Sequence, residues 1–375
     1  MSRKVWLVCL VFVAPAAFAA WTILGSLFEP PRIYDTGANP LDVVAADLDG
    51  DGDLDVLTAN RDGLSISVFL GDGRGSLTAL EPIDTERGAT SLVVTDMNGD
   101  GVPDIVASGC SPGCTDNNIM IYHGLGDGGF ERASTHSIDG VPYNVAVADF
   151  DGDGLLDVAA SDYPGQRLLV LLSEGRAGSF RQISLPTGSQ PIALAVADLD
   201  DDGRPDLISS DHGAGSSSVY LSLGGGEFVE RIEVETGELP YSIALGDLDG
   251  DRLPDLVVAH STDPGGITVL QGRGDGTFDY LQRIDVADRL VYVDTADFND
   301  DGRADIVVTR EKQAFAGVFL NEGDGLFDTR EILVEAENRI YSLVVTDLDH
   351  DPYPDLVTVD YERSTLSVSL GKKPE

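Results

Sequence analysis

The chain has 375 residues, of which 42% are hydrophobic, and its formal net charge is −41. This apolar content supports a large core and excludes wholesale disorder, while the length is compatible with one large all-β domain. Because such a charge repels phosphate groups, it also excludes binding to nucleic acid or to an anionic membrane surface.

The first predicted element is an export signal at the amino terminus. Arg3 and Lys4 precede an apolar run, and Ala17-Phe18-Ala19 forms a small-x-small cleavage pattern. Residues 1–19 are therefore predicted to be a signal peptide, which makes the protein secreted, periplasmic or exposed on the cell surface. The alternative is an uncleaved membrane anchor extending to about residue 27, because a run of about 20 apolar residues can span a bilayer.

The rest of the chain repeats one acidic segment seven times. The first copy is ADLDGDGDLDVLTAN at residues 46–60. The seven acidic loops begin at Asp47, Asp96, Asp149, Asp198, Asp247, Asp297 and Asp347. The intervals between them are 49, 53, 49, 49, 50 and 50 residues, and a period this regular indicates a repeat architecture.

Every copy has the same order of predicted elements. An apolar strand precedes the acidic loop and a second apolar strand follows it. A third strand ends at a glycine turn and an aromatic residue, as in GLGDGGF at residues 124–130, and a more polar fourth strand leads to the next copy. Four strands per repeat predict an all-β fold, a seven-bladed β-propeller.

The two ends of the chain are predicted to meet in one blade. The last copy stops at LSVSLGKKPE without a fourth strand, whereas an unmatched strand containing Phe28 precedes the first copy. The N-terminal strand is therefore predicted to complete the C-terminal blade, so that a propeller spanning residues 28–371 has no open edge.

The three cysteines predict little beyond one local crosslink. Cys9 lies in the leader, while Cys110 and Cys114 lie in a segment rich in turn-forming residues. No second pair of Cys or His residues completes a zinc tetrahedron with them, so a small disulfide in an oxidising compartment is favoured.

The acidic loops predict calcium sites. Counted from the leading aspartate, positions 1, 3, 5 and 9 hold Asp or Asn in all seven loops, and the backbone carbonyl of position 7 offers a further oxygen. Hard oxygen ligands in this number favour Ca²⁺, and glycine at position 6 of five loops permits the sharp bend. Position 12 never holds the Glu of an EF-hand, which excludes a helix-loop-helix calcium switch. The predicted metal ligands are Asp47, Asp49, Asp51, Asp53 and Asp55; Asp96, Asn98, Asp100, Val102 and Asp104; Asp149, Asp151, Asp153, Leu155 and Asp157; Asp198, Asp200, Asp202, Arg204 and Asp206; Asp247, Asp249, Asp251, Leu253 and Asp255; Asp297, Asn299, Asp301, Arg303 and Asp305; and Asp347, Asp349, Asp351, Tyr353 and Asp355.

The seven predicted sites are not equal. Asp and Gly also favour turns without any metal, but turn preference does not explain four fixed ligand positions in seven copies. Seven bound Ca²⁺ ions would change the net charge from −41 to −27. Arg252 at position 6 would be strained by about 1 kcal/mol at positive φ, and Pro352 cannot adopt that φ at all. The sites at 247–255 and 347–355 are therefore predicted to be the weakest.

The pattern D-x-[DN]-x-D-G-x-x-D, followed by the GDGxF turn, resembles the FG-GAP/VCBS repeat proteins, whose best-known members are the propellers of integrin α-subunits. The resemblance covers roughly residues 28–371. It implies Ca²⁺ in the hairpin between the first two strands of each blade, on one rim of the ring, and a ligand on the opposite rim. Only loop positions 1, 3, 5, 7 and 9 carry over, and Arg252 and Pro352 depart from the family pattern.

Two classes of function remain open. The first is a calcium-stabilised binding or adhesion module for a protein or polysaccharide, with Tyr163 and Tyr361 among the loop residues on the ligand rim. The alternative is an extracellular polysaccharide lyase or hydrolase, with His212 or His260 as a base near the central axis. The sequence contains neither a nucleophile elbow nor a zinc motif, so no catalytic residue is predicted and binding is favoured.

Overall fold

The computed structural model describes residues 28–372 apart from 111–116, 176–177, 312 and 336–338. The regular elements in these residues are 33 β-strands. No helix in the described part of the chain is long and apolar enough to cross a bilayer. The predicted signal peptide and Cys114 lie outside the described residues, whereas Cys110 is described and is disulfide-bonded.

Of these strands, 29 form seven antiparallel sheets, called blades 1 to 7 in chain order, and the other four form two separate hairpins. The chain begins with β1 (Arg32–Asp35), which belongs to blade 7. Blade 1 contains β2 (Pro40–Ala46), β3 (Asp55–Asn60), β4 (Ser65–Gly71), β5 (Leu77–Ala79) and β6 (Ile83–Asp84). Blade 2 contains β7 (Gly88–Thr95), β8 (Asp104–Cys110), β9 (Asn117–Gly124) and β10 (Phe130–Ser137). Blade 3 contains β11 (Pro142–Ala148), β12 (Asp157–Asp162), β13 (Arg167–Ser173) and β14 (Phe180–Pro186).

Blades 4 and 6 each carry an extra small hairpin. Blade 4 contains β15 (Pro191–Ala197), β16 (Asp206–Asp211), β17 (Ser216–Tyr220) and β20 (Ile232–Glu235), with the hairpin β18 (Ser222–Gly224) and β19 (Glu227–Phe228). Blade 5 contains β21 (Pro240–Gly246), β22 (Asp255–His260), β23 (Gly265–Gly272) and β24 (Phe278–Val286). Blade 6 contains β25 (Leu290–Ala296), β26 (Asp305–Arg310), β27 (Phe315–Phe319) and β30 (Ile332–Glu335), with the hairpin β28 (Asn321–Gly323) and β29 (Leu326–Phe327). Blade 7 contains β31 (Ile340–Thr346), β32 (Asp355–Asp360) and β33 (Thr365–Ser369), and β1 is its fourth strand.

The predicted closure of the ring is confirmed. β1 pairs antiparallel with β33, with Arg32 opposite Val368 and Asp35 opposite Thr365. Phe28 forms a further bridge to Gly371, and its ring centroid lies 6.2 Å from that of Phe298 in blade 6. The chain is thus an all-β, seven-bladed propeller whose last blade is built from both ends of the sequence, as its repeats predict.

The core is divided among the seven junctions between adjacent blades. Seven separate apolar clusters each combine residues of two neighbouring blades, and the cluster between blades 7 and 1 includes Val357, Val368 and Phe69. Second strands such as β12 and β22 are buried at every residue because both of their faces are covered. Each blade therefore stabilises two junctions, and a strand missing from one blade would expose both of its neighbours.

Candidate metal centres and the opposite face

The acidic loops all lie at the same rim of the ring, between the first and second strands of each blade. Position 9 is the first residue of the second strand and is at most 2% exposed in every blade. The seven position-9 residues are Asp55, Asp104, Asp157, Asp206, Asp255, Asp305 and Asp355. Position 9 is therefore buried, whereas the tip of the loop is exposed.

The position-9 carboxylate fixes the shape of the loop. Its Oδ2 accepts the N–H of position 2 at 2.7–3.0 Å in all seven blades. Its Oδ1 accepts a backbone N–H just beyond the third strand or at its end, 16–20 residues later, at 2.7–2.9 Å. Burial, partly offset by these hydrogen bonds, raises the pKa of Asp157, Asp206, Asp255, Asp305 and Asp355 to about 6. The side chain therefore joins three strands even before any metal is considered.

Predicted ligands converge in five of the loops. Carboxylate oxygens of positions 1, 3 and 9 lie within 4.8 Å of one another in loops 1, 3, 4 and 7, and those of positions 1, 3 and 5 do so in loop 5. Loops 2 and 6 have Asn98 and Asn299 at position 3. The neighbouring carboxylates help burial to raise the pKa of Asp151, Asp200 and Asp349, which are all at position 3. This crowding of like charges is what a cation at the centre would relieve.

The donor set fits calcium. Oxygens on opposite sides of a Ca²⁺ ion bound at about 2.4 Å lie about 4.8 Å apart, and these carboxylate oxygens all lie within that distance of one another. In loop 4 the Oδ1 atom of Asp200 is buried and has no hydrogen-bond partner, so it is available as a ligand. Every side-chain ligand predicted for these loops is a hard oxygen donor, which suits calcium better than a softer metal.

Two positions, rather than one, take the left-handed backbone conformation in six of the seven loops. Position 6 has positive φ in six loops, including Arg252 at 74°, as the sequence predicts. Position 4 has positive φ in all seven loops, although it holds Asp201, Asp300 and His350 in three of them. A Cβ atom added to Gly52 would meet no atom within 4 Å. Glycine is therefore favoured there by the positive φ and not by a lack of space for a side chain.

Loop 7 differs because of Pro352. In the other six loops the N–H of position 6 donates to Oδ2 of position 1 at 2.7–3.1 Å. Proline has no N–H, so Asp347 lacks this hydrogen bond, and Pro352 does not take the positive φ of the other six. The leading carboxylate of loop 7 is therefore held less firmly.

Side chains of the protein also reach into some loops. The guanidinium groups of Arg204 and Arg303, both at position 7, pair with the position-5 carboxylates Asp202 and Asp301. His123 Nδ1 lies 3.1 Å from Oδ2 of Asp104 in loop 2. In these loops some predicted ligands already have a partner from the chain itself.

Four of the acidic loops are tied to the next blade through the carbonyl of position 2. The N–H of Gly75 donates to Leu348 O at 3.0 Å, and Asn321 Nδ2 donates to Leu248 O at 2.8 Å. Equivalent bonds reach the carbonyls of Phe150 and Leu199. Ordering a loop would therefore strengthen a junction between blades as well as the loop itself.

The opposite face has a cluster of tyrosines on the axis of the ring. Tyr143, Tyr241 and Tyr341 come from the first strands of blades 3, 5 and 7, near the strand ends remote from the acidic loops. Their hydroxyl oxygens form a triangle with sides of 2.9, 3.0 and 3.1 Å. Burial holds the pKa of Tyr241 and of Tyr341 well above the usual value, so both remain neutral donors.

A second circle of rings surrounds these axial tyrosines. Tyr163, His212 and Tyr361 each follow a second strand, and each ring centroid lies 5.9–6.0 Å from that of one axial tyrosine. Arg61 donates to the hydroxyl of Tyr361 at 2.6 Å and lies 5.5 Å from its ring centroid. Tyr163 and Tyr361 are therefore half-buried parts of an aromatic cluster and not isolated loop residues.

The two histidines considered as bases lie in different settings. His260 is fully buried, and its ring nitrogens contact Glu238 O and Thr268 Oγ1, both at 2.8 Å. Burial lowers the pKa of His260 to about 4, and a substrate cannot reach it. His212 Nε2 contacts Ser261 Oγ at 3.0 Å, whereas its Nδ1 has no partner. Only His212 belongs to the axial face.

A cavity of about 80 Å³ lies at the axis and is lined by residues from the first strands of all seven blades. Asp42 is on its wall and accepts the N–H of Leu92 at 2.9 Å, while Ser342 Oγ lies 3.3 Å from it. Burial raises the pKa of Asp42 to about 6. The axial tyrosines and Asp42 were not identified from the sequence, although the three tyrosines all stand six residues before a leading aspartate.

Comparison with known proteins gives one family and one fold. A family profile described as FG-GAP-like repeat matches six segments, residues 47–107, 110–160, 149–209, 198–258, 247–308 and 297–358. No curated protein matches the chain in sequence.

Solved structures with the same fold are distant in sequence. BBS1N, in a mercury-soaked crystal of its complex with ARL6DN, is 12% identical with a TM-score of 0.66, over 93% of this chain and 98% of BBS1N. A functionally unknown protein from Desulfotomaculum acetoxidans is 10% identical with a TM-score of 0.59, over 80% of this chain and 90% of its own. At such identities the likeness shows the fold alone.

Proposed function

Because the chain belongs to the FG-GAP-like repeat family, we propose that it is an exported, calcium-stabilised binding module whose ligand is a protein or a polysaccharide. The propeller supplies a rigid ring, the acidic loops hold calcium at one rim, and the ligand docks on the opposite face. The observation that carries this proposal is the aromatic cluster around Tyr143, Tyr241 and Tyr341.

The proposed role of calcium is structural. Aspartates at positions 1, 3 and 9 would hold the ion in most loops, with the position-7 carbonyl as an added ligand. The ion would neutralise the crowded carboxylates, and the position-9 aspartate would transmit the order of the loop to the second and third strands. Bonds from the loop to the next blade would then stiffen the ring.

The axial face suits a ligand better than the calcium rim does. Half-buried rings of Tyr163 and Tyr361 offer apolar surface with hydroxyl groups at their edges, a combination common at binding sites. Each of these rings is backed by an axial tyrosine, so little conformational entropy is lost when a ligand binds. BBS1N, with the same fold, is described in complex with ARL6DN, which supports a protein ligand for this fold in general.

The proposal of export rests on the leader sequence and the overall acidity. A signal peptide at residues 1–19 would bring the chain to a compartment with millimolar calcium and oxidising conditions. Sites of modest affinity, with Kd values of about 10⁻⁴–10⁻³ M, are sufficient there.

A polysaccharide-cleaving enzyme is the second candidate, and one observation favours it. Burial lowers the pKa of His212, so the ring is neutral near pH 7, and its Nδ1 is unpartnered beside Tyr241. A neutral histidine can act as a general base, and here a sugar would have to displace the residues that cover Nδ1.

The calcium-loaded protein should be tested on an oligosaccharide array and an array of purified extracellular proteins, with chain cleavage followed in parallel. We expect a retained ligand whose binding falls at least tenfold in Tyr361→Ala and less than twofold in Tyr280→Ala, which removes an exposed tyrosine from blade 5. Binding unaffected by Tyr361→Ala would contradict the assigned face. Cleavage abolished by His212→Ala would favour the enzyme.

A further inference from the structure

A cavity lies at the junction of blades 1 and 2 on the outer side of the ring. It is a groove of about 800 Å³. One wall is the segment from Leu80 to Glu86, and the other is formed by Tyr122, the turn at 125–129, Phe130 and Arg132. Its volume is within the range of about 300–1,000 Å³ that ligand sites occupy.

The groove lies where the outer strand of blade 1 is divided into two short pieces. The fourth strands of blades 2, 3 and 5 have 8, 7 and 9 residues, whereas blade 1 has only β5 with 3 residues and β6 with 2. Pro82 lies between β5 and β6 and cannot donate a hydrogen bond to a sheet. β4 is therefore covered incompletely, and Val68 forms part of the groove floor.

The lining of the groove is apolar at its floor and acidic at its edge. Leu80 and Ile83 face Tyr122 and Phe130 across the junction, and Leu125 is 57% exposed at the mouth. The acidic lining residues are Glu81, Asp84, Glu86 and Asp127, against a single basic one, Arg132.

Arg132 does not offset this acidity, because it is already engaged. Its guanidinium lies 3.1 Å from Glu86 and 5.9 Å from the centroid of Tyr122. Glu81, Asp84 and Asp127 keep their charges facing solvent at the rim of the groove.

From this geometry we propose that the groove binds an extended peptide segment that carries an apolar side chain flanked by Lys or Arg. The apolar side chain fills the floor between Leu80 and Phe130, and the basic groups pair with the acidic edge. β10 is the edge strand of blade 2, so its outer backbone groups are available to an extended peptide. The chain's charge of −41 adds a long-range attraction for a basic partner.

A saccharide fits this groove less well. A neutral saccharide carries no positive charge to pair with the four carboxylates of the lining, whereas a basic peptide does. This site is independent of the axial face, because its residues lie in the outer strands and not in the first strands.

The test selects peptides from a random 12-residue display library on the calcium-loaded protein and measures their affinity by fluorescence anisotropy. The groove variant is the double substitution Glu81→Lys with Asp84→Lys. The matched control is Glu230→Lys with Asp139→Lys, which makes the same charge change at exposed residues outside the groove. Leu80→Ser tests the apolar floor without changing the charge.

We expect enrichment of peptides with Leu, Phe or Trp next to Lys or Arg. Their affinity should fall at least tenfold in the groove variant and in Leu80→Ser, and less than twofold in the control and in Tyr361→Ala. Failure to enrich such peptides, or equal losses in the groove and control variants, would overturn the proposal. Oligosaccharide binding that is lost in the groove variant would overturn the choice of a peptide. Peptide binding that is lost only in Tyr361→Ala would assign the peptides to the axial face.

Discussion

The two faces of the ring differ in how strictly their residues recur from blade to blade. On the rim of the acidic loops every blade places Asp or Asn at the same four positions, and the hydrogen bonds of the position-9 aspartate recur seven times. On the axial face the position held by tyrosine in blades 3, 5 and 7 holds Leu41, Thr90, Ile192 and Val291 in the others. The repeated rim therefore maintains the structure, whereas the varied face carries what is particular to this protein.

The largest expected effect comes from removing calcium. With sites of about 10⁻⁴–10⁻³ M at 10 mM calcium, several bound ions stabilise the fold by on the order of 10 kcal/mol in total. We expect chelation to lower the Tm by at least about 10 °C in scanning calorimetry. Magnesium at the same concentration should restore little of this loss, and an unchanged Tm after chelation would contradict a structural role for calcium.

Substitutions at two positions of the same loop should differ in how much stability they remove, and both losses should be smaller than that caused by removing calcium. Asp157→Ala leaves the N–H groups of Phe150 and Ser173 without a partner in a buried setting, and should cost about 3 kcal/mol or more. Asp153→Ala removes an exposed residue of the same loop and should cost about 1 kcal/mol. Urea denaturation at saturating calcium measures both variants, and equal losses would show that position 9 acts only as a metal ligand.

On the axial side, Asp42→Asn should stabilise the protein in a manner that depends on pH. The pKa of Asp42 is raised from 3.8 to about 6 in the folded state, so its ionisation costs stability as the pH rises through this window. The variant should be more stable than the wild type by about 3 kcal/mol at pH 7 and by less than about 1 kcal/mol at pH 4. Asp139→Asn, on an exposed loop, should show no such pH-dependent gain; a gain at pH 4 as large as at pH 7 would exclude this cause.

Tyr241→Phe removes one hydroxyl from the axial triangle without changing the ring. We expect a loss of about 1–2 kcal/mol because the hydroxyls of Tyr143 and Tyr341 each lose a partner. Calcium affinity, measured by isothermal titration, should not change. Tyr280→Phe, at a site 66% exposed, serves as the control. A change in calcium affinity would mean that the two faces are coupled.

The smallest effect concerns the strained position of loop 5. Arg252→Gly should stabilise the protein by about 1 kcal/mol, because glycine adopts a φ of 74° without steric cost and keeps the N–H bond to Asp247. Gly203→Arg at the same position of loop 4 should cause a similar loss in thermal unfolding. If both substitutions changed the stability in the same direction, the effect would come from the arginine side chain and not from the backbone angle.

The ring and its acidic rim could be predicted because they repeat. A period near 50 residues, fixed ligand positions and an unmatched N-terminal strand determine the blade number and the closure. The positive φ at position 4 was missed because Gly, Asp and His share that position, and Asp, like Asn and His, tolerates the left-handed conformation more readily than most residues. The double hydrogen bonding of position 9 was missed because its second partner lies 16–20 residues away in the third strand.

The axial cluster could not be recognised from one blade at a time. Tyr143, Tyr241 and Tyr341 are about two repeats apart, and only ring closure brings their hydroxyls within hydrogen-bond distance. The groove between blades 1 and 2 likewise depends on a single interrupted strand, which a search for regular repeats passes over.

The way blade 7 is completed places both of its chain ends on the same side of the ring. Phe28 pairs with Gly371, whose N–H donates to the position-9 aspartate of loop 7 at 2.7 Å, so both ends of the ring emerge on the acidic side. Any tether joined to either terminus would turn that side toward the point of attachment. The tyrosine side would then point outward, toward whatever approaches from solution.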